Sequence, residues 1–307
     1  METPKFIWMD GRLVPGEEAK VGFLTHALHY GSGAFEGIRF YNTITGPAIF
    51  RLPEHLNRLF NSIEVFRVTV PYSRRELTKA IIETIKANEL EEGYIRPLVY
   101  FGDKVGLDPI GAPVKCGIAV WRWEKYLGKA SIEAIVSKNF IRLHPKSAVM
   151  AAKISGYYFN SIMASLEARW ANADETILLD YRGYVAEGSA ENIFIVDERK
   201  RVVTPPLGAI LPGITRDTII NLLKILSSYL IFEEEITIER LKSAKEVFLT
   251  GTAAEIIPVC KIDDRIIGNG ISGPVTRYAK MMYEKIVHGQ CSAFGSWLTY
   301  VDNKWLF

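Results

Sequence analysis

The order of strand-like and helix-like segments constrains the fold of this chain most strongly. Strand patterns occur in the first half at FIWMDGRLV, AIFRL, YIRPLVYFG and CGIAVWRWE, and in the second half at IEAIVS, TILLD, YVAE, NIFIV and EVFLTGTAAEIIPV. CGIAVWRWE is apolar along most of its length, which predicts a buried strand. Because strands and helices are mixed without strict alternation, the sequence favours an α+β fold over a doubly wound sheet.

Helix patterns separate these strands. HLNRLFNSIEVF, after Glu54, and FNSIMASLEARWANA carry apolar residues at helical spacing. Ser73 is predicted to cap RRELTKAIIETIKANEL, with Glu76 completing a capping box. Thr215 is predicted to cap TRDTIINLLKILSSYL, with Asp217 in its first turn.

Composition and charge narrow the possible functions. The chain has 307 residues, 48% of them hydrophobic and 23% charged, with a net charge of +2, as in a soluble globular protein with room for two domains. The sequence contains no basic run for nucleic acid, no segment long enough to span a membrane and no apolar signal-peptide core. Its three cysteines are far apart, which indicates a reducing cytoplasm. We expect a small N-terminal domain over 1–121, a linker over 122–131 that lines the active site, and a large domain over 132–307.

A lysine and a carboxylate stand out as candidates for chemistry. AAKISGYYFNS places Lys153 among small and aromatic residues, and GYVAEGSAENIF follows with Glu187. A lysine that forms a Schiff base must be neutral part of the time, which a partly desolvated pocket favours. A carboxylate can keep a ring nitrogen protonated, and this pair of groups is what pyridoxal phosphate requires. An isolated lysine is more often a solvated surface residue.

Two segments could bind a phosphate. Gly213-Ile214-Thr215 begins a predicted helix, where free amides and the helix dipole favour anions, and Thr250-Gly251-Thr252-Ala253 forms a turn. An ordinary helix start is the simpler interpretation of the first. GSGAFEG has its third glycine one position late for a dinucleotide fingerprint, which excludes a nicotinamide site. His26 and His29 lack further ligands at metal spacing and are expected in a strand or loop, so we predict no metal site.

Seven blocks follow one another over nearly the whole chain: THALHYGSGAFEGIRFY, RLPEHLNRLFNS, GYIRPLVYFGD, AAKISGYYFNS, GYVAEGSAENIF, LPGITRD and VFLTGTAAEIIPV. In this order they resemble the branched-chain amino-acid aminotransferases, which are pyridoxal phosphate enzymes of fold type IV. The resemblance implies a small α/β domain and a larger domain with a β-barrel-like core. It also implies amino-group transfer between branched-chain L-amino acids and 2-oxoglutarate in a ping-pong cycle.

The resemblance assigns the cofactor contacts. Lys153 would bind pyridoxal 5'-phosphate covalently and move protons, Glu187 would pair with the ring nitrogen, and Tyr158 would hydrogen-bond the phenolic oxygen. Leu211 would pack on the ring. The phosphate would be held by Arg58, Ile214, Thr215 and Thr252.

The resemblance also assigns the substrate pocket. Tyr94, with Thr252 and Ala253, would bind the α-carboxylate, and Arg96 would meet the side-chain carboxylate of glutamate. An apolar pocket would be lined by Phe35, Gly37, Trp123, Tyr126, Tyr158 and Ala254. Tyr30 and Leu107 would reach in from a neighbouring copy, which implies a homodimer or a larger assembly such as a hexamer. The tripeptide Ser155-Gly156-Tyr157 departs from the usual glycine-rich pattern, and the bulk of Tyr157 could alter the pocket.

Two alternatives stay open at this point. A D-amino-acid or (R)-amine transaminase, or an aminodeoxychorismate lyase, would share Lys153, Glu187 and the phosphate residues, although the Tyr94-x-Arg96 pair favours the branched-chain type. A non-catalytic ligand-binding protein could use the same scaffold.

Overall fold

A computed structural model describes residues 3–123 and 128–302. The strands are β1 Phe6–Met9, β2 Arg12–Pro15, β3 Gly33–Phe35, β4 Ile38–Thr43, β5 Gly46–Phe50, β6 Gly93–Phe101, β7 Val114–Trp121, β8 Ile132–Val136, β9 Glu175–Leu179, β10 Val185–Gly188, β11 Asn192–Val196, β12 Val202–Thr204, β13 Ile231–Glu233, β14 Glu246–Gly251, β15 Glu255–Ile262, β16 Arg265–Ile266 and β17 Leu298–Tyr300. The α-helices are α1 His26–Tyr30, α2 Leu52–Glu64, α3 Arg74–Ala87, α4 Tyr158–Trp170, α5 Ile214–Leu226, α6 Ile238–Lys242 and α7 Pro274–Val287. This mixture confirms the predicted α+β class.

The chain divides into two compact units. Unit 1 comprises Met1–Glu124, Ala152–Gly156 and Lys285–Phe307, and unit 2 comprises Lys125–Ala151 and Tyr157–Glu284. The segment that carries Lys153 therefore belongs to unit 1, although it lies far along the chain from the rest of that unit. The domain bounds predicted from the sequence remain a prediction.

Unit 1 is built on one sheet with the strand order β17-β5-β4-β6-β7-β1-β2, and β3 pairs with β6. Helix α2 contacts β3, and α3 contacts β1 and β7. The predicted capping box of α3 is confirmed, because Ser73 Oγ accepts the Glu76 N–H and the Glu76 carboxylate accepts the Ser73 N–H. In β7 buried and half-buried residues alternate and none is exposed, so one face of the predicted buried strand is buried and the other is half-buried.

Unit 2 contains a closed barrel of six strands. Its sheet runs β10-β9-β8-β15-β14-β11, and a further pairing between β10 and β11 closes the ring. One hydrophobic cluster includes side chains from all six strands, such as Ile132, Ile177, Val185, Ile193, Val247 and Val259. On the opposite face of neighbouring strands, Phe194 stacks on Phe248 with ring centroids 5.1 Å apart. The closure pairs each of these six strands with two neighbours in the ring and gives β10 and β11 a fixed position, and β12 and β13 continue the sheet from β11.

The structure corrects two local predictions. Helix α5 begins at Ile214 with Gly213 as its N-cap, so Thr215 lies in the first turn and is not the cap. His26 and His29 lie in helix α1 and not in a strand or loop. Within residues 3–123 and 128–302, no helix combines the length and apolar content needed to cross a bilayer.

Candidate active site

Lys153 lies in a short segment that packs beside β3 in unit 1. The Phe35 N–H donates to Lys153 O at 3.2 Å, and the Gly156 N–H donates to Gly31 O at 2.9 Å. Gly31 has φ +64°, and a Cβ there would lie 2.6 Å from Gly156 Cα, so this close approach requires glycine. Lys153 Nζ lies 5.1 Å from the centroid of the Phe35 ring. The segment therefore fixes the amine next to an aromatic face.

The Ser62 hydroxyl joins this segment to helix α2. Ser62 Oγ accepts the Lys153 N–H at 2.8 Å and donates to Arg58 O at 2.7 Å. Ser62 is completely buried. One hydroxyl thus links the backbones of the candidate Schiff-base lysine and the candidate phosphate-binding arginine.

The Arg58 side chain is held by a buried carboxylate, Glu36. Glu36 Oε1 accepts Arg58 Nε at 2.6 Å, and Oε2 accepts Arg58 Nη2 at 2.8 Å and His55 Nδ1 at 2.7 Å. Burial alone would raise the pKa of Glu36, but the charge and hydrogen bonds of Arg58, followed by those of His55, hold that pKa far below its usual value. Burial lowers the pKa of His55. Glu36 is therefore a carboxylate, and neutral His55 adds a hydrogen bond without adding charge.

Several residues predicted to bind substrate in unit 1 lie around Tyr94 and Arg96 of β6. The Tyr94 ring stacks on Trp123 with centroids 4.7 Å apart, and Arg96 Cζ lies 4.6 Å from the Phe35 ring centroid and 5.5 Å from that of Tyr94. A Cβ at Gly37 would lie 1.8 Å from Tyr94 Oη. Arg96 Nε is buried and has no hydrogen-bond partner within 3–123 and 128–302. The structure thus brings together a phenol, a guanidinium and aromatic faces.

Two other predicted substrate residues are exposed in unit 1. The exposed fraction is 45% for Tyr30 and 82% for Leu107. His26 organises this region, because its Nε2 contacts Gly106 O at 2.9 Å and its Nδ1 contacts Ser32 Oγ at 2.6 Å. A carbonyl can only accept, so His26 Nε2 donates to Gly106 O. Tyr126 lies outside the described residues.

Glu187 is a buried carboxylate in the barrel unit. It lies in β10 opposite Asn192 of β11. Its Oε1 accepts Arg142 Nε in an ion pair, and its Oε2 accepts Asn192 Nδ2 at 2.9 Å and the Leu211 N–H at 3.1 Å. Glu187 is 6% exposed. These donors hold a buried carboxylate in one orientation.

The start of helix α5 supplies amides in unit 2. The first N–H groups of a helix have no intrahelical acceptor, and Gly213 has no side chain that could cap them. A Cβ at Gly213 would lie 1.9 Å from Asn192 Oδ1, so glycine allows this helix start to approach β11. Ile214 and Thr215 follow directly.

The remaining predicted residues of unit 2 lie in two places. Thr252, Ala253 and Ala254 form the turn between β14 and β15 and are half-buried, and half-buried Tyr158 begins helix α4. The bulk of Tyr157 has a local role, because its hydroxyl accepts the Val149 N–H at 3.1 Å.

The sequence did not indicate the residues that hydrogen-bond to the predicted site residues and so position them. Glu36, Ser62 and Asn192 lie inside the quoted blocks GSGAFEGIRFY, RLFNS and GSAENIF, so their position there was an available signal. Arg142 lies in IRLHP, and no pattern in that segment indicates its contact with Glu187.

Comparison with known proteins gives consistent matches. The family model described as amino-transferase class IV matches residues 33–262. A branched-chain-amino-acid aminotransferase of Pseudomonas aeruginosa is 42% identical over 299 residues, which cover 96% of this chain and 97% of the relative.

Solved structures agree with this match. The crystal structure of the T.th. branched-chain amino acid aminotransferase complexed with N-(5'-phosphopyridoxyl)-L-glutamate has a TM-score of 0.93 and 42% identity, and the match covers 98% of this chain and 100% of that one. The same enzyme complexed with 4-methylvaleric acid has a TM-score of 0.94, with the same identity and coverage.

Proposed function

The chain belongs to the class IV amino-transferases, and on that premise we propose that it transfers amino groups between branched-chain L-amino acids and 2-oxoglutarate with pyridoxal 5'-phosphate. Relatives that match over nearly their whole length carry the branched-chain name. One similar structure contains a phosphopyridoxyl-glutamate adduct and another contains the branched acid 4-methylvaleric acid. The proposed substrates thus correspond to the two kinds of ligand in those relatives.

The side chains present fit this cofactor. A phosphorylated pyridine aldehyde needs an amine, an anion cradle and an acid partner for its ring nitrogen. Unit 1 offers the Lys153 amine and the Arg58 guanidinium, and unit 2 offers the Glu187 carboxylate and the first amides of α5. Each of these groups has contacts within its own unit, so each is preorganised within that unit.

Each residue has a defined task in the proposed reaction. When bound, pyridoxal phosphate withdraws electrons from the bond that is broken at the substrate α-carbon. Lys153 would hold the cofactor between turnovers and, as a free amine, would move the α-proton of the substrate. Glu187 keeps the ring nitrogen protonated, Tyr158 hydrogen-bonds the phenolic oxygen and Leu211 covers the ring. The phosphate is bound by Arg58, Ile214, Thr215 and Thr252.

The substrate residues explain how one pocket accepts two unlike amino acids. Tyr94, Thr252 and Ala253 bind the α-carboxylate. Branched side chains pack on the apolar lining, which consists of Phe35, Gly37, Trp123, Tyr126, Tyr158 and Ala254. Arg96 pairs with the distal carboxylate of glutamate or 2-oxoglutarate by a charge-assisted hydrogen bond.

We further propose that the protein acts in the cytoplasm as a homodimer or larger assembly such as a hexamer. Tyr30 and Leu107 are exposed on their own unit and are therefore available to a neighbouring copy, whose pocket they would complete. The three cysteines are free, as is usual in a reducing compartment.

The observation that carries the proposal is the contact of Arg96 with Phe35 and Tyr94 in the unit that contains Lys153. The test is the visible absorption spectrum of the cofactor-loaded protein in separate cuvettes with L-leucine, D-alanine and an (R)-amine. We expect L-leucine to remove the absorption band of the covalently bound cofactor and 2-oxoglutarate to restore it. A response to D-alanine or the amine alone would contradict the proposal.

A further inference from the structure

Glu36 is a buried charge that the reaction does not use directly. It is 0% exposed, and its oxygens receive hydrogen bonds from Arg58 Nε and Nη2 and from His55 Nδ1. Moving a carboxylate and a guanidinium out of water is costly, and a pair of apolar residues of similar volume often serves stability as well. Stability alone therefore does not account for this pair.

The geometry of the pair indicates a further role. Glu36 engages the Nε/Nη2 edge of the Arg58 guanidinium with both carboxylate oxygens, which fixes the plane of the guanidinium as well as its position. A long arginine side chain held in this way loses less conformational entropy when it binds an anion.

We propose that Glu36 is a positioning residue for the cofactor phosphate, acting through Arg58 without touching the cofactor. This inference rests on the proposed function, which gives Arg58 the phosphate as its ligand. Because Glu36 fixes the guanidinium, its loss weakens binding of the phosphorylated cofactor far more than binding of an unphosphorylated one.

Backbone contacts connect the same carboxylate to the lysine. The Glu36 N–H donates to Pro97 O at 2.9 Å, and the preceding residue, Phe35, donates its N–H to Lys153 O at 3.2 Å. The Ser62 hydroxyl links the Lys153 backbone to that of Arg58. The segment between β3 and β4, which carries Glu36, and helix α2, which carries Arg58, are thus both tied to the backbone of the lysine segment.

The experiment compares two aldehydes that differ only in the phosphate. Apo-protein is titrated with pyridoxal 5'-phosphate and with pyridoxal, and the dissociation constant is read from the visible absorption band. The proteins are the wild type, Glu36→Gln, Arg58→Gln and the double variant. Glu246→Gln is the matched control, because Glu246 is also buried and accepts several hydrogen bonds, from Val275 and Thr276.

The expected result is a loss that depends on the phosphate. Glu36→Gln should raise the dissociation constant for pyridoxal phosphate by about tenfold or more and that for pyridoxal by less than about threefold. In the Arg58→Gln background, Glu36→Gln should raise the dissociation constant for pyridoxal phosphate by less than about twofold. The effects of two substitutions are not additive when one residue acts through the other. The control should bind both aldehydes like the wild type.

Three results would overturn the inference. Glu36→Gln could weaken both aldehydes equally, leave both unchanged, or add its full cost in the Arg58→Gln background. If Glu36→Gln does not fold, Glu36→Asp keeps the charge and shortens its reach, and the same phosphate-dependent loss is expected at a smaller size. A wild type that binds neither aldehyde would instead remove the proposed function itself, so the two failures are distinguishable.

Discussion

Tyr94 Oη lies against Gly37 so closely that a Cβ atom on residue 37 would be 1.8 Å from it. Two non-bonded heavy atoms do not approach this closely, so any other residue at position 37 must displace the phenol. Because Tyr94 is the proposed ligand of the substrate α-carboxylate, the glycine sets where that carboxylate binds.

Gly37→Ala should therefore impair substrate binding. We expect KM for L-leucine and for 2-oxoglutarate to rise by about tenfold, which corresponds to the loss of one charge-assisted hydrogen bond. The absorption band of the bound cofactor should not change. Gly117→Ala is the control, because a Cβ there would meet only Trp8 O, at 3.9 Å. An unchanged KM for Gly37→Ala would contradict the role of Tyr94.

Arg96→Met should separate the two half-reactions. The guanidinium lies over Phe35 and Tyr94, and methionine keeps an apolar contact with these rings while it removes the charge. We expect kcat/KM for L-glutamate to fall by about tenfold or more and kcat/KM for L-leucine to change by less than about threefold. Single-turnover kinetics with each amino acid measures both values. Equal losses would show that Arg96 does not distinguish the substrates.

Glu187→Gln should slow proton abstraction and leave the fold intact. The carboxylate receives hydrogen bonds from Arg142, Asn192 and the Leu211 N–H, and an amide places an N–H group against at least one of these donors. The ring nitrogen also loses its anionic partner, so we expect the half-reaction with L-leucine to slow by about tenfold or more. Rapid-scanning spectroscopy measures this rate. A wild-type rate would exclude the proposed role of Glu187.

Glu175 should make the protein less stable as the pH rises. Burial raises the pKa of this carboxyl, whose Oε1 accepts the Thr176 and Ser189 N–H groups. The unfolded chain releases this proton near its ordinary value of 4.5, but the folded chain retains it to higher pH. Between these two pKa values the folded state binds more protons than the unfolded chain. The stabilisation from this carboxyl is therefore complete below pH 4.5 and is lost as the pH rises through the higher pKa of the folded state.

Thermal midpoints measured from about pH 4.5 to about pH 8 test this prediction. Glu175→Gln cannot ionise, so its midpoint should improve relative to wild type as the pH rises. Exposed Glu198, whose side chain is 74% accessible, provides the control variant Glu198→Gln, which should follow the wild type. A constant difference between Glu175→Gln and wild type would refute the assignment.

Local sequence rules predicted much of the fold. The Ser73–Glu76 capping box and the strand-turn-strand around Gly251 depend on neighbouring residues, and the structure confirms both. Thr215 was misassigned as a cap because a glycine two residues earlier also fits an N-cap and approaches Asn192. That approach is a tertiary contact, which local patterns do not contain.

The contacts that position the site residues could not be predicted from the sequence. Arg142 and Glu187 are 45 residues apart in the chain, and Glu36 and Arg58 are 22 apart. Only the folded chain brings such partners together, since no periodicity relates them. The resemblance to a family named the residues proposed to contact ligands, whereas the structure was needed to find the residues that hold them.

The most direct test of the account is to identify the residue that carries the cofactor. The protein loaded with pyridoxal phosphate is reduced with sodium borohydride, digested and mapped by peptide mass spectrometry, with Lys153→Ala treated in parallel. We predict a phosphopyridoxyl group on Lys153 and none in the variant. A label on another lysine, or equal labelling of the variant, would contradict the assignment of Lys153 as the residue that binds the cofactor.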